Sequence, residues 1–500
     1  MGYVDGILKN IKYSLLNYIV VNGFKFLTRI VFIKTLSIEY LGITGLFSNI
    51  FVMLSLAELG VGPAMVYALY KPLAENDKET VNSIMLLLKK MYLLIGGIIL
   101  ILGLIIYPFL DVLIKEETEI KYLNYYYLIF LLNTVISYLW SYKRSLLIAD
   151  QKQYIVNNYQ SVVQIAVSVL QVIGLIFGFG YFSYIILVCA GTIIENICIS
   201  KKTDSYFPLI YTTNNKIDKN IRFELVNNIK ALIGHKIGMV ISFSIGSVII
   251  SKFVGLFAVG VYSNYFMVLN IITVFVNKLF EAITASIGNL IISNSREEQV
   301  KAFKITEFIT AFQASVIFTG LYALLNPFII LWIGKQYLFD DLVVFAMSFN
   351  FYLLYMRKGV LTFRDAAGLY WQDRYKPVAE AVVNLTVSIY CTVTYGVIGV
   401  AIGGIAGSLL VGIWLECYVL FKNSLKLNLK NYLIGFLKYI MLTVGSAICC
   451  KKIIDMFITD FNILNFLFGI VFCCVFTISV WCVLFNSKAE FKFLKNKIIK

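Results

Sequence analysis

The sequence predicts an all-α polytopic membrane protein of about 14 transmembrane helices, built as two pseudo-symmetric six-helix lobes followed by two further helices. Three observations predict it. The 500 residues are 60% hydrophobic and 14% charged, against about a quarter charged in soluble domains, and the mean hydropathy is +0.82. Apolar runs of about 20 residues recur along the chain, each long enough to cross a bilayer core. Finally, Gly45-Leu46-Phe47-Ser48-Asn49-Ile50-Phe51-Val52-Met53-Leu54 returns as Gly260-Val261-Tyr262-Ser263-Asn264-Tyr265-Phe266-Met267-Val268-Leu269. A second echo, Gln151-Lys152-Gln153-Tyr154 against Gln372-Asp373-Arg374-Tyr375, follows at nearly the same offset.

The runs place spans at about 13–35, 42–70, 84–108, 122–147, 156–178, 183–200, 225–251, 258–292, 303–332, 342–370, 377–396, 398–421, 432–450 and 461–486. The first, Tyr13 to Leu36, has full spanning length and no small-residue cleavage site after it, so it reads as a span and not a cleaved signal. The sixth and seventh are joined by the longest polar connection, Lys201 to Glu224, which carries Lys201, Lys202, Lys216, Lys219 and Arg222. Domain boundaries follow: 1–215 for the N-terminal lobe, 216–425 for the C-terminal lobe, and 426–500 for two added helices and a basic tail. Six spans separate the two Ser-Asn motifs. Six is even, so both copies enter the membrane with one polarity and the lobes relate by an axis along the membrane normal, an arrangement transporters use to line a central cavity.

Net charge is +15. The basic residues lie in short loops and at the C-terminus, which argues against nucleic acid as a partner and for orientation by positive charge. With the N-terminus inside, inner segments hold about 25 Lys and Arg and outer segments 7 (Lys34, Lys115, Lys121, Lys252, Lys335, Lys451 and Lys452). Both termini are expected in the cytoplasm. Nine cysteines, among them Cys449-Cys450 and Cys473-Cys474, lie without ligand spacing, so no metal is expected. No P-loop, dinucleotide turn or general-base constellation stands out, so no cofactor and no catalysis are expected.

A charge at bilayer depth costs at least a few kcal/mol and therefore faces protein or water. Helical spacing shows which charges share a face. In the first span Asn22, Lys25 and Arg29 stand at i, i+3 and i+7. They line a cavity, or snorkel, or pair with Glu58. Glu58, beside Ser55 and Gly62, is the one acid in the middle of the second span; it is either a proton or sodium site or a fixed counter-charge. In the fourth span Asn133, Ser137, Trp140 and Arg144 share a face. The seventh carries Asn228, His235, Gly238 and Ser242, with Lys236 beside them; His235 is the single histidine and a candidate for proton coupling.

The eighth span has the longest polar stripe: Asn270, Thr273, Asn277, Glu281, Thr284 and Gly288, bordered by Lys278. It lines a cavity or packs lobe on lobe, and Lys278 stands where Glu281 can neutralise it. Glu281 joins Glu58 and His235 as an ion-coupling candidate. The tenth span aligns Asn350, Arg357, Arg364 and Gly368, with Lys358 and Asp365 adjoining. By the second echo Lys143 matches Arg364. These cations contact anionic headgroups, or receive a phosphate through the guanidinium fork. The excess in the stripes is positive, so Lys25, Arg29, Lys278, Arg357 and Arg364 favour an anion, and the amides and hydroxyls around them suit sugar hydroxyls.

The stretch Leu36-Ser37-Ile38-Glu39-Tyr40-Leu41-Gly42 through Ala57-Glu58-Leu59-Gly60-Val61-Gly62, and Tyr70-Lys71-Pro72-Leu73-Ala74 before an acidic loop, resemble the start of the bacterial polysaccharide repeat-unit flippases (Wzx type, serving O-antigen and capsule). These belong to the multidrug/oligosaccharidyl-lipid/polysaccharide exporter superfamily. The likeness extends over the whole chain and is most specific in the first 80 residues. It implies alternating access in the bacterial cytoplasmic membrane. The implied substrate is an undecaprenyl-pyrophosphate-linked oligosaccharide, and the implied partners are membrane lipids and the polymerase and glycosyltransferases of the same pathway. The family has no short motif that fixes site residues. A multidrug exporter of the superfamily is the first alternative, against which the Lys and Arg excess argues. A peptidoglycan-precursor flippase is the second. A polysaccharide polymerase is disfavoured because the longest connection has about two dozen residues and is expected inside.

Overall fold

The computed structural model describes residues 2–58, 61–115, 120–208, 238, 240, 244–458 and 462–498. All regular structure among them is helical: α1 Gly2–Thr35, α2 Ile38–Leu54, α3 Val61–Ala74, α4 Lys78–Ile106, α5 Leu123–Leu139, α6 Ser141–Ala149, α7 Gln153–Ile176 and α8 Gly180–Tyr206. There follow α9 Ser244–Phe253, then α10 Leu256–Ser293, α11 Arg296–Trp332, α12 Asp341–Met356, α13 Lys358–Ala366, α14 Lys376–Tyr395, α15 Ile398–Gly407 and α16 Ile413–Leu420. Last come α17 Leu429–Phe457, α18 Ile463–Phe485 and α19 Ala489–Ile498. Ten helical segments among the described residues are long and apolar enough to cross a membrane. Large apolar side chains stay exposed on them, as Leu94, Ile101 and Ile105 do on α4, which is the surface hydrocarbon favours. The protein is a multi-pass membrane protein.

Among the described residues the expected 14 spans do not all return as long helices, and most of the seventh, 225–251, lies outside those residues. The first expected span, α1, falls outside the ten; Asn17, Asn22, Lys25 and Arg29 dilute its apolar run. The second breaks at a 3-10 turn, Ser55–Glu58. The fourth divides at Trp140 into α5 and α6, and the tenth at Arg357 into α12 and α13. The breaks at Trp140 and Arg357 are each followed by a helix of 9 residues, so the repeat extends to the way these two helices are interrupted. Counted from the breaks, Lys143 falls opposite Val360, not Arg364. Residues 367–371 lengthen the second copy before its Gln372.

The chain divides into two compact units, Met1–Gly260 and Val261–Lys500. The expected boundary at 215/216 lies outside the described residues. In the first unit α1 packs along α7, α7 on α8, and α4 on α5. An aromatic cluster of Phe32, Tyr40, Tyr126, Tyr181 and Tyr184 closes the middle, and the Thr44 and Tyr181 hydroxyls bond at 2.9 Å. Asp77 caps α4 by accepting from the Thr80 amide at 3.0 Å, and those Thr80 bonds hold its carboxyl below the usual aspartate range.

In the second unit α11 is the pillar, packed by α12, α17, α18, α13 and α19. A Ser295–Glu298 capping box starts it. The two added helices, α17 and α18, belong to this unit: Ser315 bonds to Thr443, and Trp481 rings contact Phe308 and Phe312. The hairpin of α14 and α15 is the tightest seam. Gly399, Gly403 and Gly407 repeat every fourth residue and lie against Thr392, Ser388 and Asn384. Small residues in this spacing let backbones approach closely.

Candidate functional site

In the first unit the stripe on α1 keeps its spacing. The Asn22 amide turns back to the Tyr18 carbonyl at 2.7 Å. Lys25 is exposed and forms no ion pair with a described carboxylate. Arg29 is half-buried, within electrostatic reach of the Tyr184 hydroxyl. The stripe therefore ends on the aromatic cluster. Glu58 closes its 3-10 turn beside Gly62 and accepts from the Tyr92 hydroxyl at 3.5 Å. These contacts turn it towards α4.

Arg144 on α6 binds Glu195 on α8 at 2.6 Å, and Gln160 of α7 donates to the same carboxylate at 3.1 Å. Lys143 binds Asp204 at 2.6 Å. Sequence spacing marks the cations but not the acids that receive them.

In the second unit the expected cations of the tenth span are taken by carboxylates. Arg357 sits at the break between α12 and α13 and is 6% exposed. Its guanidinium meets Glu416 of α16 in a fork, at 2.6 and 3.0 Å, and meets Glu380 of α14 at 2.9 Å and the Ser408 hydroxyl at 3.1 Å. Lys376 binds Glu416 and lies 3.4 Å from Glu380. Two cations and two acids balance, and desolvated charges require this mutual closure. Gly412 stands directly on the guanidinium, where a Cβ would lie 2.7 Å from Cζ. Arg364, also buried, is held by Asp365 at 2.9 Å and by Asp373. The structure thus seats both arginines in intra-unit clusters: Arg357 meets acids on other helices, and Arg364 meets Asp365 of its own helix and Asp373 in the turn that follows.

The stripe on α10 is less buried. Asn270 and Glu281 are exposed; Asn277 and Lys278 are half-buried, and the Asn277 side-chain oxygen has no hydrogen-bond partner among the described residues. Lys358 of α13 lies within electrostatic reach of Glu281, Asp365 and Glu416, so α10 and α13 bring opposite charges together. His235, with Asn228, Lys236 and Ser242, lies outside the described residues.

One buried acid escapes the pattern of stripes. Glu307 on α11 is 8% exposed. Its Oε2 accepts from the Tyr432 hydroxyl at 2.7 Å, while Oε1 faces Gly359 with no hydrogen-bond partner among the described residues. No cation pairs with it among them. A lone acid one turn past Lys304, opening an apolar run, is the signal that marks it.

Two solved structures share this architecture closely. "Lipid II flippase MurJ, inward closed conformation" has a TM-score of 0.64 at 16% identity, covering 96% of this chain and 99% of that one. An inward-facing multidrug resistance MATE family transporter of the MOP superfamily has a TM-score of 0.63 at 15% identity, covering 80% and 93%. A single-site mutant of the Vibrio cholerae MATE transporter VcmN gives 0.54 at 16%, covering 84% and 97%. At such identities the likeness is one of fold. No curated protein sequence matches the chain. The model of the family described as polysaccharide biosynthesis protein matches residues 7–287, more than half of the sequence, and the chain belongs to that family.

Proposed function

We propose that the protein is a flippase that moves undecaprenyl-pyrophosphate-linked oligosaccharides across the bacterial cytoplasmic membrane, by alternating access, for surface polysaccharide assembly. The observation that carries the proposal is Lys25. It stands well inside α1 on one face with Asn22 and Arg29, exposed and without an ion pair to a described carboxylate. An ammonium at that depth needs water or an anionic ligand. A pyrophosphate supplies the charge, and the neighbouring amide suits a sugar hydroxyl. Membership of the polysaccharide biosynthesis family supports the same reading, as does a fold shared with a structure titled lipid II flippase.

In this reading Lys25, Arg29 and Asn22 bind the headgroup, and Asn270, Asn277 and Lys278 are the substrate contacts of the second unit. Arg357 and Arg364 keep a supporting role: their charges are matched by acids, and they hold the helices of their own unit in place. Glu58 and Glu281 remain the coupling candidates, together with His235. Both termini face the cytoplasm.

Charge reversal at Lys25 or Arg29 tests it. Surface polysaccharide should fall while the amount of protein in the membrane stays constant. Equal loss of protein and polysaccharide would instead assign these residues to folding. A peptidoglycan precursor carries the same lipid pyrophosphate, and the lipid II flippase fold match favours keeping it as a second reading. Rescue of a strain depleted of its lipid II flippase would select it.

A further inference from the structure

The passage from α16 to α17 holds a cavity of about 370 Å³, lined by Tyr418, Phe421, Lys422, Lys426, Leu427 and Leu429. Its shape comes from an unusual helix end. After α16 the chain widens into a π-turn, Phe421–Leu425, and stops at Lys426 in the left-handed region, φ 49°. The side chain of Arg296 fixes the turn from outside, donating to the Leu425 carbonyl at 3.1 Å and the Lys426 carbonyl at 3.3 Å. Asn428 then caps α17. Phe421 and Leu425 are buried in the apolar cluster that includes Phe303, Phe363 and Leu420, so the cavity has an apolar floor.

The rim is cationic. Lys422 and Lys426 are exposed. The Lys422 ammonium reaches the Tyr418 hydroxyl at 3.1 Å, and no hydrogen bond or ion pair joins the Lys426 ammonium to a described residue. No acid lines the cavity, and none occurs in the sequence between Glu416 and Asp455. The residues on either side, 398–425 and 429–457, are both long and apolar enough to span the membrane. A connection this short between two spans lies at the level of the lipid headgroups. Basic pockets between membrane helices at that level recognise lipid phosphates.

We propose that this cavity is a headgroup site for an anionic glycerophospholipid of the surrounding membrane, with the phosphate held between Lys422 and Lys426 and the glycerol over Leu427 and Leu429. The chemistry recognised is a phosphate anion. The source is lipid, because the floor is apolar and the opening lies at the bilayer surface.

The test is native mass spectrometry of the full-length protein released from neutral detergent, with phosphatidylglycerol, phosphatidylcholine or inorganic phosphate added. Phosphatidylglycerol should be retained by the wild type and lost on the order of tenfold in Lys422→Gln/Lys426→Gln. Retention should persist in Lys422→Arg/Lys426→Arg and in Lys492→Gln/Lys495→Gln, which removes the same charge elsewhere. If the glutamine pair does not fold, Lys426→Gln alone reads a smaller loss of the same kind, about fivefold, since no side-chain bond is broken. Unchanged retention in the glutamine variants overturns the proposal. So does an equal fall in the Lys492/Lys495 variant, or equal retention of phosphatidylcholine. Lysine-dependent binding of inorganic phosphate without lipid binding overturns the lipid source.

Discussion

Glu195 and Glu416 stand 221 positions apart, the same separation as Gln151 and Gln372, and each is the carboxylate on which its own unit closes a cluster. Glu195 receives Arg144 and Gln160; Glu416 receives Arg357 and Lys376. Both acids lie in the sixth expected span of their lobe, Glu195 on α8 and Glu416 on α16. The repeat therefore preserves a position for paired negative charge, half-buried at Glu195 and buried at Glu416, although the cations arrive from different places. Arg144 lies within the short helix after the break, whereas Arg357 is the break residue itself.

Removing the acid from the second cluster should be costly. Glu416→Leu leaves Arg357 and Lys376 to share Glu380, and a buried charge stripped of its partner costs about 3–5 kcal/mol. Low abundance and a depressed melting temperature in detergent are expected. Arg357→Met combined with Glu416→Leu should recover most of the loss, because Lys376 and Glu380 still neutralise each other. A double variant no more stable than Glu416→Leu alone would mean that the cluster does not close as described.

Glu307 provides the opposite case. No described cation pairs with it, so Glu307→Gln removes no ion pair and keeps an acceptor for Tyr432. Its stability should stay within about 1 kcal/mol of the wild type, the scale of one ordinary hydrogen bond. Tyr432→Phe takes away the donor to Oε2 and leaves a buried acceptor unmet, at about 1–3 kcal/mol. Thermal unfolding of the two variants side by side checks this. A glutamine variant as unstable as Glu416→Leu would point to a charged partner for Glu307.

Lys25 is predicted to act through its charge. Lys25→Arg should support near-normal polysaccharide export. Lys25→Met should lower it about tenfold or more, the worth of one charge-assisted contact of about 1.5–3 kcal/mol. Export measured in a reconstituted flipping assay, normalised to inserted protein, reads the difference. Equal activity of the methionine and arginine variants would remove Lys25 from the headgroup site.

These contrasts also show what the sequence makes legible. Run length and hydropathy reveal helices such as α18, since spanning a bilayer demands an uninterrupted apolar stretch. The repeated Ser-Asn motif reveals the duplication. Helical spacing puts Arg357 and Arg364 on one face, yet it says nothing about what lies opposite. The acids of Arg357, Glu380 and Glu416, come from other helices, and only packing brings them near; those of Arg364, Asp365 and Asp373, lie within nine residues of it. The breaks at Trp140 and Arg357 are hidden for a related reason. Neither follows a proline, and a helix interrupted for packing keeps its apolar periodicity. Asn49 and Asn264 show the limit most clearly. The motif is the same, but Asn49 donates to Ser247 of α9 at 3.0 Å, whereas the Asn264 amide is fully buried with no hydrogen-bond partner among the described residues.

The glycines give the sharpest stability test, because two of them predict opposite signs. At Gly403 a Cβ would collide with the Ser388 hydroxyl and lie 2.7 Å from the Asn384 carbonyl. Backbone cannot yield there without parting α14 from α15, so Gly403→Ala should destabilise and Gly403→Leu should abolish accumulation. At Gly445, on α17, a Cβ meets nothing within 4 Å. Alanine there adds no clash and gains helix propensity of about 1 kcal/mol. Gly445→Ala should therefore raise the melting temperature slightly while Gly403→Ala lowers it. If both alanines behave alike, the difference cannot come from the α14–α15 seam, and the close approach of these two helices would have to be abandoned.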